Sequence, residues 1–143
     1  VNWQDDIRAL RELRPRHILF LCVQNSARSQ MAEGIARYLA PPGITISSAG
    51  SSPAFVRPQA IEVLRELGMD ITGQTSKAVA DLDMSTIDAV ITLCAEEVCP
   101  MFPRPVAKFH WGLPDPARAE GDKLAAFREV RDELVARIKA LFA

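Results

Sequence analysis

No run of apolar residues in this chain approaches the ~20 needed to span a bilayer, and no secretory signal pattern is visible. Charge of neither sign dominates: 17 Lys and Arg stand against 18 Asp and Glu. That balance gives no reason to expect nucleic acid or an anionic membrane as partner. The one local excess of positive charge, Arg8, Arg11, Arg14, Arg16 and His17, is interleaved with Asp5, Asp6 and Glu12. It reads as a solvated helix face. Cysteine is scarce and odd in number, at three. A stable disulfide framework is therefore not expected, and working thiols in a cytoplasmic protein fit better. Those cysteines lack a well-spaced histidine pair, so no metal site is expected. Internal repeats, low-complexity tracts and long linkers are absent as well.

What remains is an ordinary globular composition, 48% hydrophobic over 143 residues, enough for one domain with a proper core. Residues 2–13 read as a short helix with Ile7 and Leu10 on one face, ended by Arg14-Pro15. Residues 16–22 form a buried strand, and Met31, Ile35 and Leu39 place a helix over 29–40. A second strand covers about 44–48. Pro58 starts a helix over 58–67, with Ile61, Val63, Leu64 and Leu67 on its buried side and Gly68 as its stop. Strands follow at 87–93 and near 106–110. The last helix, about 122–141, carries Leu124, Phe127, Val130, Leu134, Ile138 and Leu141 as one stripe. This β-α-β-α-β-β-α order predicts an α/β domain over 16–143, a parallel sheet covered on both faces, with residues 1–15 as a helical extension. Sites in such sheets lie at the carboxyl ends of strands. Cys22 and Cys94 both fall there.

The first of those ends carries the chemistry. Cys22 is followed by Val23, Gln24, Asn25, Ser26 and Ala27, then Arg28 and Ser29, at the mouth of a predicted helix. A helix N-terminus carries roughly half a positive charge. Successive loop N–H groups can turn inward around a thiolate or an oxyanion. Arg28 adds a planar cationic fork for two oxygens of a tetrahedral anion, and the Ser29 hydroxyl can donate to the sulfur. The loop contains no glycine, so its turns fall to Gln24 and Asn25, and Asn25 tolerates left-handed backbone angles.

With Asn25-Ser26-Ala27-Arg28-Ser29-Gln30-Met31-Ala32-Glu33-Gly34 the chain resembles the arsenate reductases built on the low-molecular-weight tyrosine phosphatase fold. Ser48-Ala49-Gly50, Thr75-Ser76-Lys77, Thr92-Leu93-Cys94, Cys99-Pro100, His110-Trp111-Gly112 and Asp115-Pro116-Ala117 extend the likeness in the same order, as does 127–133 in the last helix. The resemblance implies a four-stranded parallel sheet flanked by helices. It also implies reduction of arsenate to arsenite, with no bound cofactor and reset by an external thiol reductant of the thioredoxin type. By position, Cys22 resembles the first nucleophile, Cys94 and Cys99 the second and third cysteines, and Asp115 the general acid, near Trp111. His110 and Trp111 themselves read as packing residues and His17 as a surface residue.

Two departures from the family bear on function. The stretch between Cys94 and Cys99 is shorter than in several thioredoxin-coupled members, which leaves glutaredoxin or a low-molecular-weight thiol as other reductants. Some members bind potassium beside the loop, and the matching positions here include Asn25, Glu33 and Ser48. Where they carry a carboxylate this chain has Lys77, whose ammonium is expected to take the cation's place against Glu33 and to brace Asn25. The chain is expected to act as a monomer. The rival activity is hydrolysis of phosphate monoesters through a Cys22 phosphocysteine. Against it, Asp115-Pro116-Ala117 lacks the tyrosine usual in tyrosine phosphatases of this fold. A non-catalytic redox sensor would have no use for Asp115.

Overall fold

Strands β1 (His17–Cys22), β2 (Thr45–Gly50), β3 (Ala89–Thr92) and β4 (Ala107–His110) form one parallel sheet in the order β2-β1-β3-β4. They belong to a computed structural model that describes residues 2–95, 102 and 105–143. Cys99, and with it the Cys99-Pro100 motif, lies outside the described residues. Helices α1 (Trp3–Leu13), α2 (Arg28–Leu39), α3 (Pro58–Arg65) and α4 (Lys123–Leu141) complete the predicted element order. None of the helices among the described residues is long and apolar enough to cross a membrane.

The central strand explains the layering. β1 is buried from Ile18 to Cys22, as a strand covered on both faces must be. Its side chains alternate between two apolar clusters. Ile18 and Phe20 join the larger one, built with residues of all four α-helices, whereas Leu19 and Leu21 pack with Ile87, Val90 and Phe102. Helical cover is thus unequal. Among the described residues, the second face is closed by the 3₁₀ turn Val79–Asp81 and by Leu82, Met84 and Val106.

The boundaries of these helices and strands fall within two residues of the sequence expectation, and the small shifts have local causes. α3 stops at Arg65, and the chain turns through Gly68 at φ +77°, so Leu67 is exposed rather than part of the buried side. His17 is not a loose surface residue. Its ring is half-buried between the hydroxyls of Thr86 (2.9 Å) and Ser47 (2.8 Å). Burial holds its pKa below the ordinary value, against the opposing pull of Asp88 and Asp83. Helix α1 packs on α4 through the buried Ile7 and Leu10, while Arg8, Arg11, Arg14 and Arg16 stay exposed as expected.

A carboxylate clamps α3 to α4. Glu66 accepts from Arg128 Nη2 at 2.8 Å and Arg131 Nη1 at 2.7 Å. These hydrogen bonds, Arg128 first and Arg131 second, draw its pKa down to about 2. A folded-state value below the unfolded one gives stability that is present above the ordinary glutamate range and is lost as pH falls through the folded value. The urea midpoint of Glu66→Gln should therefore lie below that of the unmodified chain by a constant margin from about pH 5 to 7. The margin should shrink as the pH approaches about 2.

Candidate active site

Backbone hydrogen bonds around the first strand end decide where the loop amides point. The carbonyl of Val23 accepts from Ser52 N (2.9 Å), that of Gln24 from Ala54 N (3.2 Å) and Ser76 Oγ (2.9 Å), and that of Ser26 from Arg57 N (2.9 Å). Asn25 O accepts from Gln30 Nε2 (3.1 Å), and Ala27 O from Met31 N (2.9 Å). Every carbonyl from 23 to 27 is thus engaged. A strap formed by residues 52–57 holds three of them, which leaves the loop N–H groups for an anion. α2 adds its own: its N-cap, Ala27, supplies no side-chain cap, so the first amides of the helix are unclaimed by it.

Asn25 is the pivot. It adopts φ +50°, a left-handed conformation that asparagine tolerates at low cost. Its Oδ1 accepts from Gln30 Nε2 (2.9 Å) and Lys77 N (2.8 Å), which fixes the amide with Nδ2 toward two hydroxyls. Nδ2 donates to Ser29 Oγ (2.8 Å) and Ser48 Oγ (2.9 Å). Ser29 thereby keeps its proton for the Cys22 sulfur 2.8 Å away, and Ser48 donates its own to Glu33 Oε1. Each hydroxyl is an acceptor on one side and a donor on the other. Asn25, Ser29, Gln30 and Ser48 are all fully buried, where an incomplete network would be costly. Gln30 and Gln74 are the members that the motif reading missed. Gln74 Nε2 donates to Gln30 Oε1 at 2.8 Å, and the only hint in the sequence was polar residues flanking the loop and Thr75.

Lys77 contributes twice. Its backbone N–H, not its ammonium, holds Asn25, while its Nζ lies 3.4 Å from Glu33 Oε1 and donates to Thr75 O at 2.6 Å. Glu33, 2% exposed, also pairs with Arg37 at 2.9 Å.

The other predicted residues arrive from the neighbouring strand ends. Leu93 N donates to Leu21 O at 2.9 Å, which continues the β1–β3 pairing past Thr92. Adjacent strands run about 4.8 Å apart, so Leu93 stands level with Cys22 and Cys94 follows it at the adjoining strand end. Cys22 is a free, buried thiol and Cys94 is disulfide-bonded. After β4, Trp111 is buried in the larger apolar cluster. The next turn brings Leu113 O to Arg28 Nη1 (3.0 Å), and Asp115 caps the 3₁₀ turn Pro116–Arg118 by accepting from Ala117 N. Asp115 Oδ2 lies 3.9 Å from Arg28 Nη2 and 3.8 Å from Arg118 Nε. This carboxyl thus stands between two guanidiniums and the Ala117 amide. Cys22, Arg28 and Asp115 line one cavity of about 50 Å³ with Val23, Gln24, Ser26, Ala27 and Arg118. At about 10–15 Å³ per water-sized centre, that space suits a single tetrahedral oxyanion.

Residues 17–143 match the model of the family described as low molecular weight phosphotyrosine protein phosphatase. The arsenate reductase of Halalkalibacterium halodurans is 44% identical over 127 residues, 85% of this chain and 91% of that protein. A solved arsenate reductase in the phosphate binding state superposes with a TM-score of 0.76 at 35% identity, covering 89% of this chain and 96% of the other. The thioredoxin-dependent arsenate reductase of Corynebacterium glutamicum gives 0.65 at 26% identity, covering 96% of this chain and 70% of the other. With the whole sheet, the thiol loop and Asp115 inside the matched residues, the chain belongs to the low molecular weight phosphotyrosine protein phosphatase family, among its arsenate reductases.

Proposed function

We infer that this chain reduces arsenate to arsenite through its cysteines. The observation that carries the reading is the free Cys22 thiol inside an oxyanion-sized cavity, with a second, disulfide-bonded cysteine beginning at the adjoining strand end. The Cys22 thiolate attacks arsenic(V), and one arsenate oxygen leaves as water with a proton from Asp115, which shares the cavity. Arg28 and the loop amides hold the remaining oxygens. Once a thiol reductant has opened the disulfide in which Cys94 stands, the Cys94 thiolate attacks the Cys22 sulfur. The sulfur–arsenic electron pair stays with arsenic, arsenite leaves and a Cys22–Cys94 disulfide forms. Attack by Cys99 on Cys94 frees Cys22 and passes the disulfide to the second pair. A dithiol reductant, for which the thioredoxin-dependent relative suggests thioredoxin, resets it in the cytoplasm, the protein acting as a monomer. The test is arsenate-dependent oxidation of a thioredoxin system, compared across serine variants of the three cysteines.

Phosphate monoester hydrolysis remains the second reading, because a wider cavity of about 620 Å³ adjoins Asp115 and has Leu113, Pro114 and Val130 in its walls. An ester's organic group would fit there, but hydrolysis has no use for Cys94.

The residues beside the loop do not fit a bound potassium ion, because the Lys77 ammonium already stands at Glu33. Turnover should therefore be the same in potassium and sodium chloride of equal ionic strength. Lys77→Ala should lose about 1–3 kcal/mol of stability in denaturant titration, since it removes one of the two cations, Lys77 and Arg37, that pair with the buried Glu33 carboxylate. Stimulation of the unmodified chain by potassium would contradict this assignment.

A further inference from the structure

The oxyanion cavity contains a second guanidinium that the loop motif does not announce. Arg118 stands at the end of the 3₁₀ turn capped by Asp115, lines the cavity with Cys22 and Arg28, and has a side chain 78% exposed. Arg28 is its opposite: 4% exposed and tied to Leu113 O. Asp115 Oδ2 lies between the two, at 3.9 and 3.8 Å.

Formal charge gives this arrangement a consequence. A reactive cavity holds the Cys22 thiolate and, before proton uptake, the Asp115 carboxylate. Arg28 alone offsets one of these negative charges, so an incoming multiply charged anion would meet net repulsion. Arg118 offsets the other. Its exposure also lets it reach solvent, where a charged side chain raises the local concentration of oppositely charged ligands. Its ion pair with Asp115 is long and solvated, and so costs little to exchange for a pair with the anion.

We propose that Arg118 is a second oxyanion-binding residue of this cavity, one that captures the tetrahedral anion at the mouth and passes it to Arg28 and the loop amides. The proposal rests on the arsenate reading above. Capture of this kind acts on binding more than on chemistry, so it should appear in KM.

Two measurements on Arg118→Ala and Arg118→Lys test it: steady-state arsenate reduction at several salt concentrations, and protection of Cys22 from iodoacetamide by inorganic phosphate. Arg118→Ala should raise both the KM for arsenate and the phosphate midpoint about threefold to tenfold. Its KM should also depend less steeply on salt than that of the unmodified chain. Arg118→Lys should recover most of the loss, because a point charge suffices for capture. An unmoved phosphate midpoint with a lowered kcat would overturn the proposal, since Arg118 would then serve only to hold Asp115. Failure of phosphate to protect Cys22 in the unmodified chain would overturn the oxyanion site itself, and this role with it. The melting temperature of each variant shows that the fold is retained.

Discussion

Cys22→Ser should abolish arsenate-dependent oxidation of the reductant, a fall in kcat of about 10⁴-fold or more, to the background of the assay. Serine preserves the size of the side chain and the hydrogen bond with Ser29, 2.8 Å in the native pair. What it removes is the polarizable thiolate that attacks arsenic and then accepts a sulfur partner. The companion variants should fail at later steps. Cys94→Ser should form the arsenic adduct and stop, whereas Cys99→Ser should release about one arsenite per protein and stall as the Cys22–Cys94 disulfide. Rapid-quench measurement of arsenite, with mass spectrometry of the alkylated protein, reads both. Hydrolysis of p-nitrophenyl phosphate gives the complementary pattern: only Cys22→Ser should lose whatever activity is present. Multiple-turnover arsenate reduction by Cys94→Ser would sink the relay.

Gly50→Ala should damage both stability and activity, although Gly50 lies outside the thiol loop. Gly50 ends β2 opposite Cys22, and its N–H donates to Lys77 O at 2.9 Å. A Cβ there would stand 2.3 Å from Val23 O and 2.8 Å from Cys22 O. Both are backbone atoms of the thiol loop, so no side-chain rotation can relieve the contact, and the loop must move. The expected cost is about 1–3 kcal/mol of stability, with at least ~100-fold lost from kcat/KM, because amides displaced by about an ångström no longer converge on the anion. Gly73→Ala is the matched control, since a Cβ there has nothing within 4 Å, and it should be close to neutral. Thermal melts and arsenate kinetics on the two variants separate the local clash from a general glycine effect. Native kinetics in Gly50→Ala would show that the loop is less tightly defined than its hydrogen bonds indicate.

Gly50 also illustrates where sequence reading ends. The Ser48-Ala49-Gly50 motif marked the segment as part of the resemblance, yet nothing in it says that Gly50 touches Val23. The strap at residues 52–57 is a similar case. Its contribution is three backbone N–H groups at Ser52, Ala54 and Arg57, and backbone donors leave no trace in side-chain chemistry. Arg118 carries no motif signal of its own, because Cys22 and Arg28, whose cavity it shares, come from a distant part of the chain. Conversely, the left-handed turn at Asn25 was legible from residue type, since few side chains tolerate it. The pairing of Lys77 with Glu33 was anticipated as well, but the bracing of Asn25 was assigned to the ammonium, whereas the backbone N–H performs it.

By itself the sequence determined the element order, the buried β1 and the thiol loop at its carboxyl end, because periodicity, turn chemistry and motif spacing are local properties carried by consecutive residues, while the roles of Cys94, Cys99 and Asp115 came only from the family resemblance. Tertiary structure alone decided that Leu93 N bonds Leu21 O and so starts the Cys94 segment at the strand end adjoining Cys22, that distant donors pull the loop carbonyls outward, and that Asp115 lies between two arginines. Each of these depends on strand register and on loops crossing from other elements. Such long-range pairings are selected by the packing of the whole sheet rather than by any single segment.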